Sequence, residues 1–170
     1  WSSDVCSSDL ERPRPEPYLL INTIFGLVNG TWGDLDTAAD VYRRAMKMDT
    51  ADPAARRQVE DRIAYEKAAF AETEALIGRL LKATDIDIVI RPHPSERPEF
   101  WLEKYAGEPR VTVVARSDFT PWGQHAQIVV HSDSTTGIEA ALMGTPCINL
   151  SADPAWAERL VIPEANYTVR

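Results

Sequence analysis

His131-Ser-Asp-Ser-Thr-Thr-Gly-Ile-Glu-Ala-Ala-Leu-Met-Gly-Thr-Pro-Cys-Ile-Asn-Leu150 is the stretch that decides the fold. Ile128-Val-Val130 just before it is a β-branched run, as a strand buried on both faces requires. Ser132 to Gly137 then supply small polar side chains and a glycine where the chain turns from strand into helix. Glu139-Ala-Ala-Leu-Met143 favours helix, Gly144 suits the C′ position, and Pro146 stops continuation before a second buried strand at Cys147 to Leu150. The pattern is strand, turn, helix, strand. Four N–H groups lacking intrahelical partners at that helix start, flanked by the hydroxyls of Ser132, Ser134, Thr135 and Thr136, make a phosphate site. The same hydroxyls serve as ordinary N-caps, so the turn by itself supports both readings. It lies at the carboxyl end of a strand, where open α/β sheets bind ligands.

Upstream, Ile86-Asp-Ile-Val-Ile90 is another β-branched strand, and it runs directly into Arg91-Pro92-His93-Pro94-Ser95-Glu96. Two prolines stiffen this turn and bar the helical conformation before each of them. His93 is therefore held off a strand end beside the permanently charged Arg91, where an imidazole donates to a phosphate oxygen or titrates near neutral pH. In a parallel sheet both turns open on one edge. The imidazole and the hydroxyl cluster can then close on a single ligand.

At 170 residues the chain is long enough for one domain with a sizeable core, and its apolar fraction of 44% is ordinary for a globular protein. A formal charge of −8 with scattered Lys and Arg argues against a general nucleic-acid binder. No apolar run approaches the roughly 18 residues of a membrane span, which leaves peripheral membrane contact open. The two cysteines show neither a disulfide framework nor a metal spacing, and this favours a reducing cytoplasm. Cys147 reads as a small buried apolar residue.

The first ten residues have no apolar period, leader charge or cleavage pattern and resemble a translated sequencing-adapter remnant, so Cys6 is set aside. On that reading the native protein begins farther upstream. Glu11 to Pro17 is a Pro-rich linker, and the domain runs from residue 18 to 170. Tyr18 to Ile24 is a strand, and Phe25, Gly26 and Asn29 lie in the loop after it, which either approaches a ligand or turns the chain. Asp34 to Lys47 is helical. Val59, Ile63, Phe70, Ile77 and Leu81, with Ala64, Ala71 and Leu80 on the same side, predict one long amphipathic helix from Pro53 to Lys82, its charged face solvated. Further elements are a helix at Pro98 to Tyr105, a strand at Arg110 to Ala115, a short helix at Asp118 to Gln124, a helix from Pro154 to Leu160 and a strand at Tyr167 to Val169. The alternation specifies an α/β fold with a doubly wound, Rossmann-like parallel sheet. There is no Gly-x-Gly-x-x-Gly and no Walker lysine motif.

Arg-Pro-His-Pro on one strand end, followed by Asp-Ser-Thr-Thr-Gly-Ile-Glu-Ala and Gly-x-Pro-x-Ile-x-Leu, resembles the C-terminal nucleotide-sugar domain of bacterial surface-polysaccharide glycosyltransferases. The similarity is to the surface carbohydrate (capsule or LPS-type) biosynthesis family related to capsule Kdo transferases. Asn22 to Asn29 also resembles that family's Asn-Thr-x-Phe-Gly-x-x-Asn pattern, so the likeness runs from Tyr18 to Leu150. It implies one half of a GT-B architecture whose N-terminal, acceptor-binding domain this chain lacks. It implies a nucleotide-sugar donor, CMP-linked in related enzymes, a glycan or lipid-linked acceptor, and work at the cytoplasmic membrane face. No metal or further cofactor is implied.

Carried over, His93, Ser134, Thr135 and Thr136 become donor-phosphate ligands, helped by the charge of Arg91, while the catalytic base is not assigned. Ser95, Glu96, Ser132 and Gly137, in the same two turns, join them as contacts to the donor phosphate or nucleotide. Glu139 either binds ribose hydroxyls or complements the helix N-terminus. His131 orients the Ser132–Thr136 turn or lines the pocket, and Asp133 is either a base or an Asx-turn acceptor. A helix terminus, hydroxyls and an imidazolium would stabilise a departing phosphate without a metal. Asp85-Ile86-Asp87 fits Asp-x-Asp formally, at the wrong end of its strand. Two other readings stay open. One is a UDP-sugar 2-epimerase-like or CDP-polyol phosphotransferase-like enzyme, with Thr135-Thr136-Gly137 in place of the epimerases' Ser-Gly-Gly turn. The other is a nucleotide-binding module without chemistry.

Overall fold

The computed structural model describes residues 17–30, 34–49, 51–150 and 167–169. The adapter-like start, the linker as far as residue 16 and the helix expected at Pro154 to Leu160 lie outside them. The elements run β1 (Tyr18–Asn22), α1 (Leu35–Ala45), α2 (Pro53–Ala83), β2 (Asp87–Arg91), α3 (Pro98–Lys104), β3 (Val111–Val113), α4 (Phe119–His125), β4 (Ala126–His131), α5 (Thr136–Leu142), β5 (Cys147–Leu150) and β6 (Tyr167–Val169). The strands form one parallel sheet in the order β3-β2-β1-β4-β5-β6. This is the doubly wound, Rossmann-like order, and its direction reverses between β1 and β4.

Alternation along each strand divides the core. Tyr18, Leu20, Val89, Val129 and Cys147 face Phe119 and Trp122 of α4 and Ala140 of α5. Leu19, Ile21, Ile88, Ile90 and Val130 face Tyr65, Ala69 and Ile77 of α2 and Trp101 of α3. Both faces are covered, which is why the strands read as continuous apolar runs rather than alternating ones.

Local chemistry sets the boundaries. Asp34 accepts from Thr37 N at 2.8 Å to start α1. Asp52 accepts from Ala54 N at 2.9 Å, with Pro53 at the first helical position of α2. Arg110 donates to the carbonyls of Leu81 and Thr84 at the other end of α2, where exposed helix carbonyls attract a cation. Gly144, at φ 77°, ends α5 in a Schellman turn: Thr145 N donates to Ala140 O and Gly144 N to Ala141 O.

The buried stripe of α2 corrects the sequence expectation. Ala64 and Ala71 are exposed, whereas Ala55, Val59, Glu66, Ala69, Thr73 and Ile77 are buried. Two polar residues sit on the inner face because each has its partners there. Glu66 accepts from Leu27 N and Arg62, and Thr73 Oγ1 donates to Ala69 O. No helix among the described residues is long and apolar enough to cross a membrane.

Candidate functional site

Four strands place a polar residue at one register position near the carboxyl edge, the last residue of β1, β2 and β4 and the last but one of β5. Arg91 lies beside Asn22, Asn22 beside His131, and His131 beside Asn149. These residues share the parity of Leu20 and Val129, so the row continues the face covered by α4 and α5. Its centre is the β1–β4 pair, where the strand order reverses, and a crevice outside the carboxyl ends at that point is where doubly wound sheets take ligands.

Arg91 is pinned at this edge. Nη1 donates to Asn22 Oδ1 at 2.7 Å, Nε and Nη2 donate to Ser117 O at 3.0 and 2.6 Å, and the guanidinium lies 5.9 Å from the Phe119 ring centre. The charges of Glu139 and Asp118 act on it, and its own charge acts on His93. Three of the five N–H groups of Arg91 are spent on the protein, which fixes the guanidinium in place.

His93 is half-buried. Its Nδ1 lies 2.6 Å from Ser95 Oγ and accepts from Ser95 N at 3.2 Å, which places the ring proton on Nε2. Burial first, then the charge of Arg91, holds its pKa below the ordinary 6.5, with Glu96 opposing. Nε2–H is the donor that the ring keeps for a partner outside this turn.

Beyond β4, His131 is buried, and its Nδ1 accepts from Ser134 N at 3.3 Å, so it orients the turn. Ser132 is buried beside it. Ser134 Oγ accepts from Thr136 N at 3.3 Å and from Thr136 Oγ1 at 2.9 Å, which leaves its own O–H proton to donate outward. Thr135 is exposed, Thr136 and Gly137 are buried, and Glu139 is exposed in the first turn of α5. The free N–H groups expected here are taken. Gly137 N donates to Ser134 O, while Ile138 N and Glu139 N donate to Thr135 O, in a tightened first turn. The donors this turn still has to offer are hydroxyls rather than the N–H groups of an open helix end.

The loop after β1 is packed inward. Phe25, Gly26 and Asn29 are buried. Phe25 packs edge-on against Phe70 at 5.2 Å, Asn29 Nδ2 donates to Arg97 O, and a Cβ on Gly30 would come within 1.9 Å of Gly26 O. Glu96, 2% exposed, is the hub of this region. Its Oε1 accepts from Thr23 Oγ1, Phe25 N and His93 N at 2.6, 3.0 and 3.0 Å. Its Oε2 accepts from Trp101 Nε1 at 3.3 Å and Asn29 Nδ2 at 3.5 Å. With five protein donors around it, this carboxylate has no capacity left for a ligand, and it fixes the loop that carries His93.

Five residues complete the edge that the sequence reading did not assign: Asn22, Arg62, Glu66, Ser117 and Asn149. Arg62 donates to Glu66 Oε1 at 3.1 Å and to Asp133 Oδ2 at 2.7 Å. Asp133 takes φ 49°, and its N–H donates to Asn149 Oδ1 at 3.0 Å. Ser117 Oγ and Asn149 Nδ2 are buried and have no hydrogen-bond partner. The available signals were a charge interrupting the apolar stripe of α2 and a polar residue closing each apolar strand. Asp85 and Asp87 lie at the opposite, amino edge of the sheet. Among the described residues no three His, Cys, Asp or Glu side chains are placed to hold a metal.

No protein-family model matches the chain, and no curated protein does. Among solved structures it is similar to the Methanocaldococcus jannaschii UDP-GlcNAc 2-epimerase in complex with UDP-GlcNAc and UDP, with a TM-score of 0.50 and 15% sequence identity. The likeness covers 91% of this chain and 34% of the epimerase, so the chain spans about a third of that protein's length. What the two share at that identity is the fold: a doubly wound, Rossmann-like parallel sheet.

Proposed function

We propose that this chain is the nucleotide-sugar-binding half of a GT-B-type, metal-independent glycosyltransferase acting in bacterial surface-polysaccharide synthesis at the cytoplasmic face of the membrane. The observation that carries the reading is the β1–β4 switch point, where Arg91, Asn22, His131 and Asn149 stand side by side at the carboxyl edge and the His93 and Ser134 turns follow β2 and β4 directly. In this arrangement His93 Nε2–H and the Ser134 hydroxyl donate to donor phosphate oxygens, with Thr135 at the exposed lip. Thr136 backs Ser134 by donating to it, and Arg91 supplies positive field. Hydrogen-bond donors set at a departing phosphate stabilise the charge that develops there. The chemistry of transfer then needs an acceptor, a glycan or lipid-linked sugar, brought by a partner domain.

A second reading has its own support. The structural likeness is to a protein whose bound ligands are UDP-GlcNAc and UDP, which favours a UDP-sugar epimerase-like enzyme on the same scaffold. Conversion of UDP-GlcNAc with no acceptor present, by the chain joined to a partner domain, would select it.

Calorimetric titration of CMP, CDP, UDP and ADP into the chain tests the shared core of both readings. One nucleotide should bind selectively, and His93→Ala and Ser134→Ala should each weaken it by about tenfold, the worth of one hydrogen bond to a charged group. A folded protein that binds none of the four would sink both.

A further inference from the structure

We propose that Arg62, on the long helix α2 and away from every motif in the strand-end turns, is the positioning residue of the switch-point crevice. It sets the separation of two lips at the β1 and β4 ends, the inward-packed loop after β1 and the turn after β4. The proposal rests on the crevice being the ligand site.

One turn of α2 reaches both lips. Glu66 Oε2 accepts from Leu27 N at 2.9 Å and so fixes the loop after β1. Arg62, one turn earlier, donates from Nε to Glu66 Oε1 at 3.1 Å and from Nη1 to Asp133 Oδ2 at 2.7 Å, at the start of the turn after β4. The three side chains are only 13%, 4% and 22% exposed for Arg62, Glu66 and Asp133. The guanidinium also lies 5.4 Å from the Tyr65 ring centre, which fixes its plane. Two separate nitrogens of one rigid fork bridge two carboxylates, a geometry an ammonium does not reproduce.

Asp133 shows what the clamp controls. Its backbone is left-handed at φ 49°, a conformation Asp tolerates but most residues avoid. Arg62 holds its side chain, and Asn149 Oδ1 holds its N–H. Ser134 follows directly, so the orientation of Asp133 decides where the Ser134 hydroxyl points. A buried ion pair gives little stability beyond that of a well-packed apolar pair. What this one supplies is a fixed distance between Leu27 and Ser134.

The test uses the whole chain carrying Arg62→Lys, Arg62→Met or Asp133→Asn. Asp133→Asn keeps a residue suited to the left-handed conformation and keeps an acceptor, and Arg62→Lys keeps the charge. These two variants leave the test standing if Arg62→Met does not fold. Amide hydrogen exchange at Leu27 and Ser134 reads the clamp itself, and affinity for the tightest binder among CMP, CDP, UDP and ADP reads its consequence. We expect faster exchange at both lips in every folded variant, and an affinity loss of about tenfold with a small change in urea midpoint. The double variant Arg62→Lys/Asp133→Asn should lose no more affinity than the worse single one, because both break one contact. Wild-type exchange in Arg62→Lys and Asp133→Asn overturns the clamp. Changed exchange with unchanged affinity overturns its positioning role. A wild-type protein that binds no nucleotide fails the reading of the crevice, and exchange at the two lips still decides whether the clamp exists.

Discussion

The two sides of the crevice use polar residues in opposite ways. On the β1–β2 side, Thr23, Phe25, Asn29, His93 and Trp101 all donate to the single buried carboxylate of Glu96. On the β4 side, Ser134 receives two bonds from Thr136 and leaves its own proton directed outward, with Thr135 exposed beside it. The first side is a scaffold whose hydrogen bonds are closed on themselves. The second is a surface whose hydrogen bonds are left incomplete. Similar polar residues at one sheet edge therefore carry different work, and burial of the acceptor separates the two.

The largest expected effect breaks the scaffold. Glu96→Ala removes the acceptor of five donors, several of them fully buried, and should cost about 3–5 kcal/mol, as loss of one partner in a buried charged network does. Urea unfolding reads the cost, and Glu96→Gln, which keeps one carbonyl oxygen, should cost clearly less. A loss below about 1 kcal/mol in Glu96→Ala would mean that water replaces the carboxylate and that the loops are not held through it. Ser134→Ala, on the other side, should cost only about 1 kcal/mol, the net worth of one side-chain-to-backbone hydrogen bond. Its mark should be a nucleotide affinity that falls more than stability does. Equal behaviour of the two variants would erase the distinction between scaffold and surface.

The parallel sheet was legible because its strands are apolar on both faces and β1, β2 and β4 each end at a polar residue followed by Pro or a hydroxyl. Strand β1 stops at Asn22, two residues short of the apolar run, because Thr23 Oγ1 turns to Glu96. The His93 and Ser134 turns were legible from their chemistry. The role of Glu96 was not, since an acidic residue in a Pro-rich turn reads as exposed, and only tertiary folding brings five donors to it. Glu66 was hidden for a related reason. Periodicity treats a charge within an apolar stripe as an error, whereas a partner 39 residues away in sequence makes it part of the interior. The free helix end was read from α5 in isolation, and the tightened turn at Ser134 and Thr135 removed it. Long-range partners, unlike periods and turns, leave no local trace.

His93 stands on the border between the two sides, and its titration sharpens the comparison with the smallest expected signal. Its backbone N–H belongs to the Glu96 scaffold, while its imidazole accepts from Ser95 and keeps Nε2–H to offer. Burial, reinforced by Arg91, lowers its folded pKa beneath the 6.5 of an unfolded histidine. The unfolded chain then binds the proton more tightly. The stability this histidine contributes is present above pH 6.5 and is lost as pH falls through the lower folded value. An NMR titration of the ring should place its midpoint below 6.5, and His93→Gln should flatten the corresponding part of the stability profile. A phosphate oxygen seated on Nε2–H reverses the balance, because a nearby anion favours the imidazolium. Saturating nucleotide should therefore move the midpoint upward in the wild type. A midpoint that ignores bound nucleotide would assign His93 wholly to the scaffold and leave recognition of the phosphate to the β4 turn.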